Sequence, residues 1–152
     1  MFAALDLLMI REFTKKDLEQ SAELYVQVFA SLPWNEYWES EWAFERLETI
    51  YDSPGFLGCV SEENDNIHGV IIGRSNSFKG KRELEIVELF VSLSHQSKHV
   101  GSKLLSAVET KARISGYSHS TLLTSRTVPA FNFYVKNGFK ASNNMVFMSH
   151  EL

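Results

Sequence analysis

The stretch Glu88-Leu89-Phe90-Val91-Ser92-Leu93-Ser94-His95-Gln96-Ser97-Lys98-His99-Val100-Gly101-Ser102-Lys103-Leu104-Leu105 reads as a strand that enters a short polar loop in which a helix begins. Such a helix N-terminus presents unpaired backbone N–H groups and the positive end of a dipole. It can hold a phosphate or pyrophosphate without any particular side chain. Gly101 lets an anion approach the backbone closely, and Lys98 and Lys103 add positive charge. Taken alone, a glycine-bearing turn of this kind is common and names no ligand. A second chemical pattern lies at residues 31–39, where Trp34, Tyr37 and Trp38 stand beside Glu36 and Glu39. Aromatic faces next to carboxylates suit a cationic amine. The run 36–52 carries Glu36, Glu39, Glu41, Glu45, Glu48 and Asp52 against only Arg46, and for the helix itself a solvated acidic face is the simpler reading. The five histidines (His68, His95, His99, His119 and His150) lack metal-ligand spacing, so no metal is expected. No Gly-x-Ser-x-Gly elbow marks a serine hydrolase. The single cysteine, Cys59, sits in an apolar run and reads as a small buried hydrophobe, not half of a disulfide.

These residues need a scaffold, and periodicity outlines one. Residues 7–13 read as a strand that meets a helix at Thr14, where Thr14-Lys15-Lys16-Asp17 has the form of a variant capping box. Leu18, Ala22, Tyr25, Val26 and Phe29 recur at helical spacing to about Ala30. A second helix over about 38–51, supported by Trp38, Trp42, Phe44 (or Phe44 with Leu47) and Tyr51, stops at Ser53-Pro54-Gly55. Three strand candidates follow, 56–61, 68–75 and 83–93, with turn chemistry between them that suggests an antiparallel meander. Val100, Leu104, Leu105, Val108 and Ala112 share one face of a helix closed by Gly116. Residues 120–125 form a short strand, Pro129 opens a helix to about Lys136, and 145–149 form a last strand. The order is β-α-α-β-β-β-α-β-α-β, a mixed α/β sheet with helices on both faces.

At 152 residues the chain is long enough for one core, and 1–152 is expected to be a single domain with residues 1–8 as a non-core extension. A net charge of −4 argues against a nucleic-acid partner, whose phosphates call for a basic face. No segment has the apolar length of a membrane span, and the N-terminal apolar stretch lacks the basic flank of a signal peptide, so a cytoplasmic protein is expected.

The 88–105 stretch resembles motif A of the GNAT superfamily of N-acetyltransferases, in which a strand ending in valine leads to Gln/Arg-x-x-Gly-x-Gly/Ala and a Leu-Leu helix. Gln96, Val100, Gly101, Leu104 and Leu105 fit in register, and Glu88 stands where many relatives carry a carboxylate. His99 departs from the pattern, taking the place of its first glycine. Ala130-Phe131-Asn132-Phe133-Tyr134-Val135-Lys136-Asn137-Gly138-Phe139 resembles motif B, with Thr127 where many relatives have Asn. The two motifs stand in order, one helix and one strand apart. Their resemblance implies an acetyl-CoA-dependent N-acetyltransferase whose central strands, 83–93 and 120–125, splay to admit pantetheine. It also implies roles for individual residues. Leu89, Phe90 and Val91 would pair with pantetheine, Val91 N–H would polarise the acetyl carbonyl, and Gln96, Ser97, Lys98, His99, Val100, Gly101 and Ser102 would cradle the pyrophosphate. Thr127, Asn132 and Tyr134 would complete the cofactor site. Tyr134 would supply the proton for the departing thiolate and Glu88 would act as general base. Trp34, Asn35, Trp38, Glu88 and Ser125 would line the acceptor site.

The Pro33-Trp34-Asn35 and Trp38 signature is similar to that of the aminoglycoside 6′-N-acetyltransferase-like branch, which implies a small cationic amine acceptor. Homodimers are common in the superfamily, and the C-terminal 145–152 strand could support one. The alternative function is an acyl-CoA-binding sensor or interaction module that kept the fold and lost turnover. His99 favours that reading, while Glu88 and Tyr134 together argue the other way.

Overall fold

The computed structural model describes residues 8–152. Two residues past the first strand, Thr14 caps the 3₁₀ turn Lys15–Asp17 that leads into the first helix. Its backbone N–H donates to the Asp17 carboxylate at 2.7 Å, the reciprocal half of a capping box. Asp17 also receives both terminal nitrogens of Arg11 at 2.8 Å, and Arg11 reaches on to Glu62 at 2.9 Å. Strand β1 (Met9–Glu12) is thereby tied to helix α1 (Leu18–Ala30) and to β2 (Leu57–Glu63). Burial would raise the Asp17 carboxyl, but Arg11 and the two Thr14 donors together hold it below the usual carboxylate range. The sign follows. A depressed folded-state value stabilises above the ordinary carboxylate pKa and is lost as pH falls through the folded value. Asp17→Ala removes a cap and leaves Arg11 short of a partner. It should cost about 3 kcal/mol in chemical denaturation at pH 7, with the deficit shrinking on acidification.

Helix α2 (Ser40–Tyr51) follows, then β3 (Asn66–Phe78), β4 (Lys81–Val91), α3 (Val100–Ile114), β5 (His119–Thr121) and α4 (Pro129–Lys136). The sheet runs β1-β2-β3-β4-β5, antiparallel through β4 and parallel between β4 and β5. One face packs on α1 and α2 through Leu18, Tyr25, Leu47, Val60, Ile72 and Phe90; the other packs on α3 through Ile71, Leu84, Leu104 and Val108. This is the expected mixed α/β architecture with helices on both faces.

Three expectations change in detail. Helix α2 buries Ala43, Leu47 and Ile50, whereas Trp42 is 48% exposed and turns toward a cleft. The strand expected over 120–125 keeps ladder partners only to Thr121. The strand expected over 145–149 pairs with no strand among the described residues. The edge open to it belongs to three-residue β5, and Met145, Val146, Phe147 and Met148 are 77–83% exposed on both parities, so no buried face holds them. Of the extension expected at 1–8, residues 1–7 lie outside the described residues, and Leu8 packs against the α3-side core. No helix among the described residues is long and apolar enough to cross a membrane.

Candidate functional site

Parallel pairing between β4 and β5 covers only Glu83–Glu85 against His119–Thr121, after which the strands part. The rest of β4 therefore offers an open backbone edge. Across the β3–β4 ladder, Ser92 N–H donates to the His68 carbonyl at 2.7 Å. Bonding residues alternate along an antiparallel ladder, so Glu88 and Phe90 turn their backbone groups to β3, while Leu89 and Val91 turn theirs to the open edge. Gln96 folds back to donate its side-chain amide to the Val91 carbonyl at 3.0 Å. The Val91 N–H is left facing the gap.

Past Val91 the chain makes the 3₁₀ turn Leu93–His95 and enters the 96–102 loop. Ser97 (φ 63°) and His99 (φ 62°, ψ 15°) are both left-handed, and α3 starts at Val100. The first bond back into the helix is Lys103 N–H to His99 O at 3.0 Å. The N–H groups of Val100, Gly101 and Ser102 thus have no helical acceptor and point out of the N-terminus. Free N–H groups beside a left-handed turn are the arrangement that elsewhere holds anions. A left-handed backbone explains why the motif favours glycine at position 99. Histidine is among the few side-chain-bearing residues enriched there, and His99 is exposed.

Helix α4 docks on this N-terminus. A Cβ at Gly101 would stand 3.3 Å from Phe133 Cζ, so the glycine admits the ring of motif B. Asn137 caps α4 by donating to the Phe133 carbonyl at 2.8 Å, and Gly138 (φ 94°) turns the chain so that Phe139 packs on Tyr134. Burial, then the Glu88 charge, push the Tyr134 hydroxyl up to about 12. It has no hydrogen-bond partner among the described residues.

Glu88 reaches its place through an irregularity. Ile72 pairs with Glu88 and Gly73 with Ile86, which leaves Val87 as the extra residue of a bulge. Alternation alone would set Glu88 opposite Glu85; the bulge brings both to the α2 side. Glu85 there pairs with Arg74 at 2.9 Å. Glu88, 8% exposed, accepts from Arg46 Nε at 2.6 Å and from the Tyr25 hydroxyl at 3.3 Å. Burial raises the Glu88 carboxyl further than Arg46 lowers it.

Beside Glu88 lies a cavity of about 590 Å³, lined among others by Trp38, Trp42, Glu45, Arg46, Glu85 and Leu123. Trp38 stands edge-on to Tyr25, its indole N–H held by Glu36 at 2.8 Å. Trp34 instead packs half-buried on Phe29 against the core, and Asn35 is exposed away from the cavity lining. Ser125 and Thr127 bond each other at 2.9 Å on the exposed strand end beyond the splay, and Asn132 is exposed on α4.

Residues 18–139 match the model of the acetyltransferase (GNAT) family. The chain belongs to this family. Solved structures share its fold. An aminoglycoside acetyltransferase, meta-AAC0020 from an uncultured soil metagenomic sample in complex with sisomicin, aligns at 20% identity over 97% of both chains with a TM-score of 0.76. A transcriptional regulator from Bacillus halodurans C-125 aligns at 22% identity over 94% of this chain and 99% of its own, TM-score 0.75. AAC(6′)-Iy in complex with the bisubstrate analog CoA-S-monomethyl-acetylneamine aligns at 17% identity over 95% and 99%, TM-score 0.72. Among curated proteins no sequence relative reaches significance.

Within this GNAT domain, sequence reasoning missed Arg46, Tyr25 and Trp42. Arg46 was visible only as the lone cation in an acidic helix, and that isolation was its one signal. It also set the histidines aside as ligands, yet the fold draws Glu63, His68 and His95 together so that their ligating atoms lie within 4.8 Å of one another.

Proposed function

We propose that the protein is an N-acetyltransferase that takes acetyl-CoA as co-substrate and a small cationic amine as acceptor. One observation carries the reading: β4, parted from β5 after Glu85, presents an open edge that leads through one 3₁₀ turn into the donor-bearing turn at 96–102. An extended amide chain fits such an edge as an added strand, and a diphosphate fits the turn. Acetyl-CoA, when bound, supplies an activated acetyl thioester. The residues of this chain do the rest. Leu89 and Val91 pair with the pantetheine arm, and Val91 N–H is the main-chain donor for a carbonyl oxygen. The backbone of Gln96, Ser97, Lys98, His99, Val100, Gly101 and Ser102 holds the pyrophosphate, with Thr127 and Asn132 at its margin. Glu88 takes the proton of the attacking amine, and the Tyr134 hydroxyl donates to the sulfur as it leaves.

The acceptor enters through the cavity beside Glu88. Arg46 and Arg74 are already matched by Glu88 and Glu85, so Glu45 and the Trp38 and Trp42 faces set its preference for a cation. Trp34 and Asn35 shape this entrance only by holding the α1–α2 connection; Leu123 bounds it across the splay, and Ser125 lies two residues beyond. Self-association of two copies through the exposed 145–148 segment is part of the same reading, because that segment alone leaves four apolar side chains uncovered.

A second reading has its own observation. The 2.6 Å contact of Glu88 with Arg46 would equally be kept by a module that binds acyl-CoA without turning it over. Calorimetry with CoA, paired with thiol release across a panel of polyamines, aminoglycosides and simple amines, separates the two. Binding with amine-dependent thiol release is the expected result. Binding without release on any amine selects the sensor, and no binding removes both. His99→Gly should bind CoA at least as well as the parent, because glycine relieves the left-handed backbone and the exposed imidazole is not part of the buried structure.

A further inference from the structure

On the edge of the molecule beyond the acetyl site, three side chains from separate elements meet. Glu63 ends β2, His68 lies near the start of β3, and His95 closes the 3₁₀ turn Leu93–His95 after β4. We propose that Glu63, His68 and His95 bind one borderline divalent cation, Zn²⁺ by the chemistry of the donor set, and so fasten the β2–β3 hairpin to the turn that feeds the 96–102 loop. The proposal is independent of the catalytic reading.

Two imidazole nitrogens and a carboxylate are a zinc donor set that leaves a fourth position open. Bond lengths of about 2.0–2.1 Å put neighbouring ligands of a tetrahedral ion about 3.3–3.4 Å apart. His95 Nε2 and Glu63 Oε2 already stand 3.4 Å apart. All three ligating atoms lie within 4.8 Å, so the widest pair must close by at most about 1.5 Å, which side-chain rotation provides. The cluster is half-open, with His95 at 16% and Glu63 at 35% side-chain exposure, so an ion can reach it.

The supporting structure is also that of a ligand. His95 Nδ1 lies 2.8 Å from the Ser92 hydroxyl and 2.9 Å from that of Ser94. With Nδ1–H donating to a serine, Nε2 carries the lone pair and faces Glu63, as a metal-bound histidine requires. His68 is placed by another bulge: Ser61 pairs with Gly69 and Glu62 with Ile67, so His68 has no partner on β2 and is held from the other side by Ser92 N–H. The two imidazoles stack at 3.8 Å with planes 21° apart, so one ring must swing out of the stack for both in-plane lone pairs to meet at one ion.

The test uses the full chain after treatment with EDTA. Titration with ZnCl₂ by calorimetry should find one equivalent bound, confirmed by elemental analysis after desalting. CoCl₂ as probe should give the visible d–d absorption of a tetrahedral site. His68→Ala and His95→Ala should each weaken Zn²⁺ binding at least tenfold and abolish the cobalt spectrum. Ser92→Ala with Ser94→Ala should weaken it about 10–100-fold by releasing the His95 ring. Thermal midpoints should rise with Zn²⁺ in the parent and not in the histidine variants. Should a histidine variant fail to fold by circular dichroism, Glu63→Gln, which keeps shape and loses charge, decides in its place. No uptake by the folded parent, or uptake unchanged in His68→Ala, His95→Ala or Glu63→Gln, overturns the proposal.

Discussion

Replacing Tyr134 by Phe should lower turnover about a hundredfold while CoA affinity and fold stability stay close to those of the parent. The hydroxyl makes no hydrogen bond within the described residues, so its loss leaves no protein donor or acceptor stranded. The ring, which packs on Phe133 and Phe139, is retained. Burial and the Glu88 charge hold the phenol at about 12, so it stays protonated throughout any practical assay. The same shift defines what the group can do. An ordinary thiol titrates near 8.5, about 3.5 units lower, so full transfer of the phenolic proton to a free thiolate would be uphill by about 5 kcal/mol. Tyr134 therefore acts by donating a hydrogen bond to charge growing on sulfur, and the proton lost by the amine completes the balance. Steady-state kinetics with separate kcat and KM decide the matter. A kcat that survives the substitution, or a loss confined to CoA affinity, removes the role.

The parts of this molecule that were legible in its sequence are those in which local chemistry and long-range contact agree. Thr14 and Asp17 announce a helix start, and the structure adds only that Arg11 completes it. Val100, Leu104, Leu105 and Val108 announce a buried helical stripe, and all four are buried. The splay of β4 from β5 came through the GNAT resemblance; spacing alone carries no sign of where a ladder stops. What stayed hidden depends on register. A bulge at Val87 reverses the parity of every side chain after it, and no residue type marks it, so Glu88 could not be assigned a face from alternation. The bulge that frees His68 is equally silent, and with it the meeting of Glu63 and His68 on one hairpin with His95, far along the chain. Trp34 and Trp38 were indistinguishable as aromatics on one loop; both pack half-buried against the α1–α2 core, and only the second also lines the cavity. The apolar 145–149 run reads as a strand by composition, yet a strand also needs an edge, and β5 ends too early to offer one.

Glu88→Gln should abolish the rising limb of the pH–rate profile and cut kcat/KM at neutral pH by about a hundredfold, without destabilising the protein. The two halves of that expectation have one cause. Burial raises the Glu88 carboxyl, the direction that suits a general base, and Arg46 offsets only part of the shift. A native state with a raised carboxyl pKa binds more protons than the unfolded chain between the ordinary value of 4.5 and the folded one. Its contribution to stability therefore falls as pH rises through that window, and at neutral pH the buried charge is a net cost. Glutamine keeps an acceptor for Arg46 Nε and for the Tyr25 hydroxyl and carries no charge, while Arg46, with 42% of its side chain exposed, can be solvated. The variant's melting midpoint at pH 7 should equal or exceed the parent's, and the parent should regain ground below pH 4.5. Activity lost in parallel with stability would make Glu88 a structural partner of Arg46, and an unchanged pH–rate profile would move the base elsewhere. Lost activity with stability retained is the combination that a purely structural ion pair cannot produce.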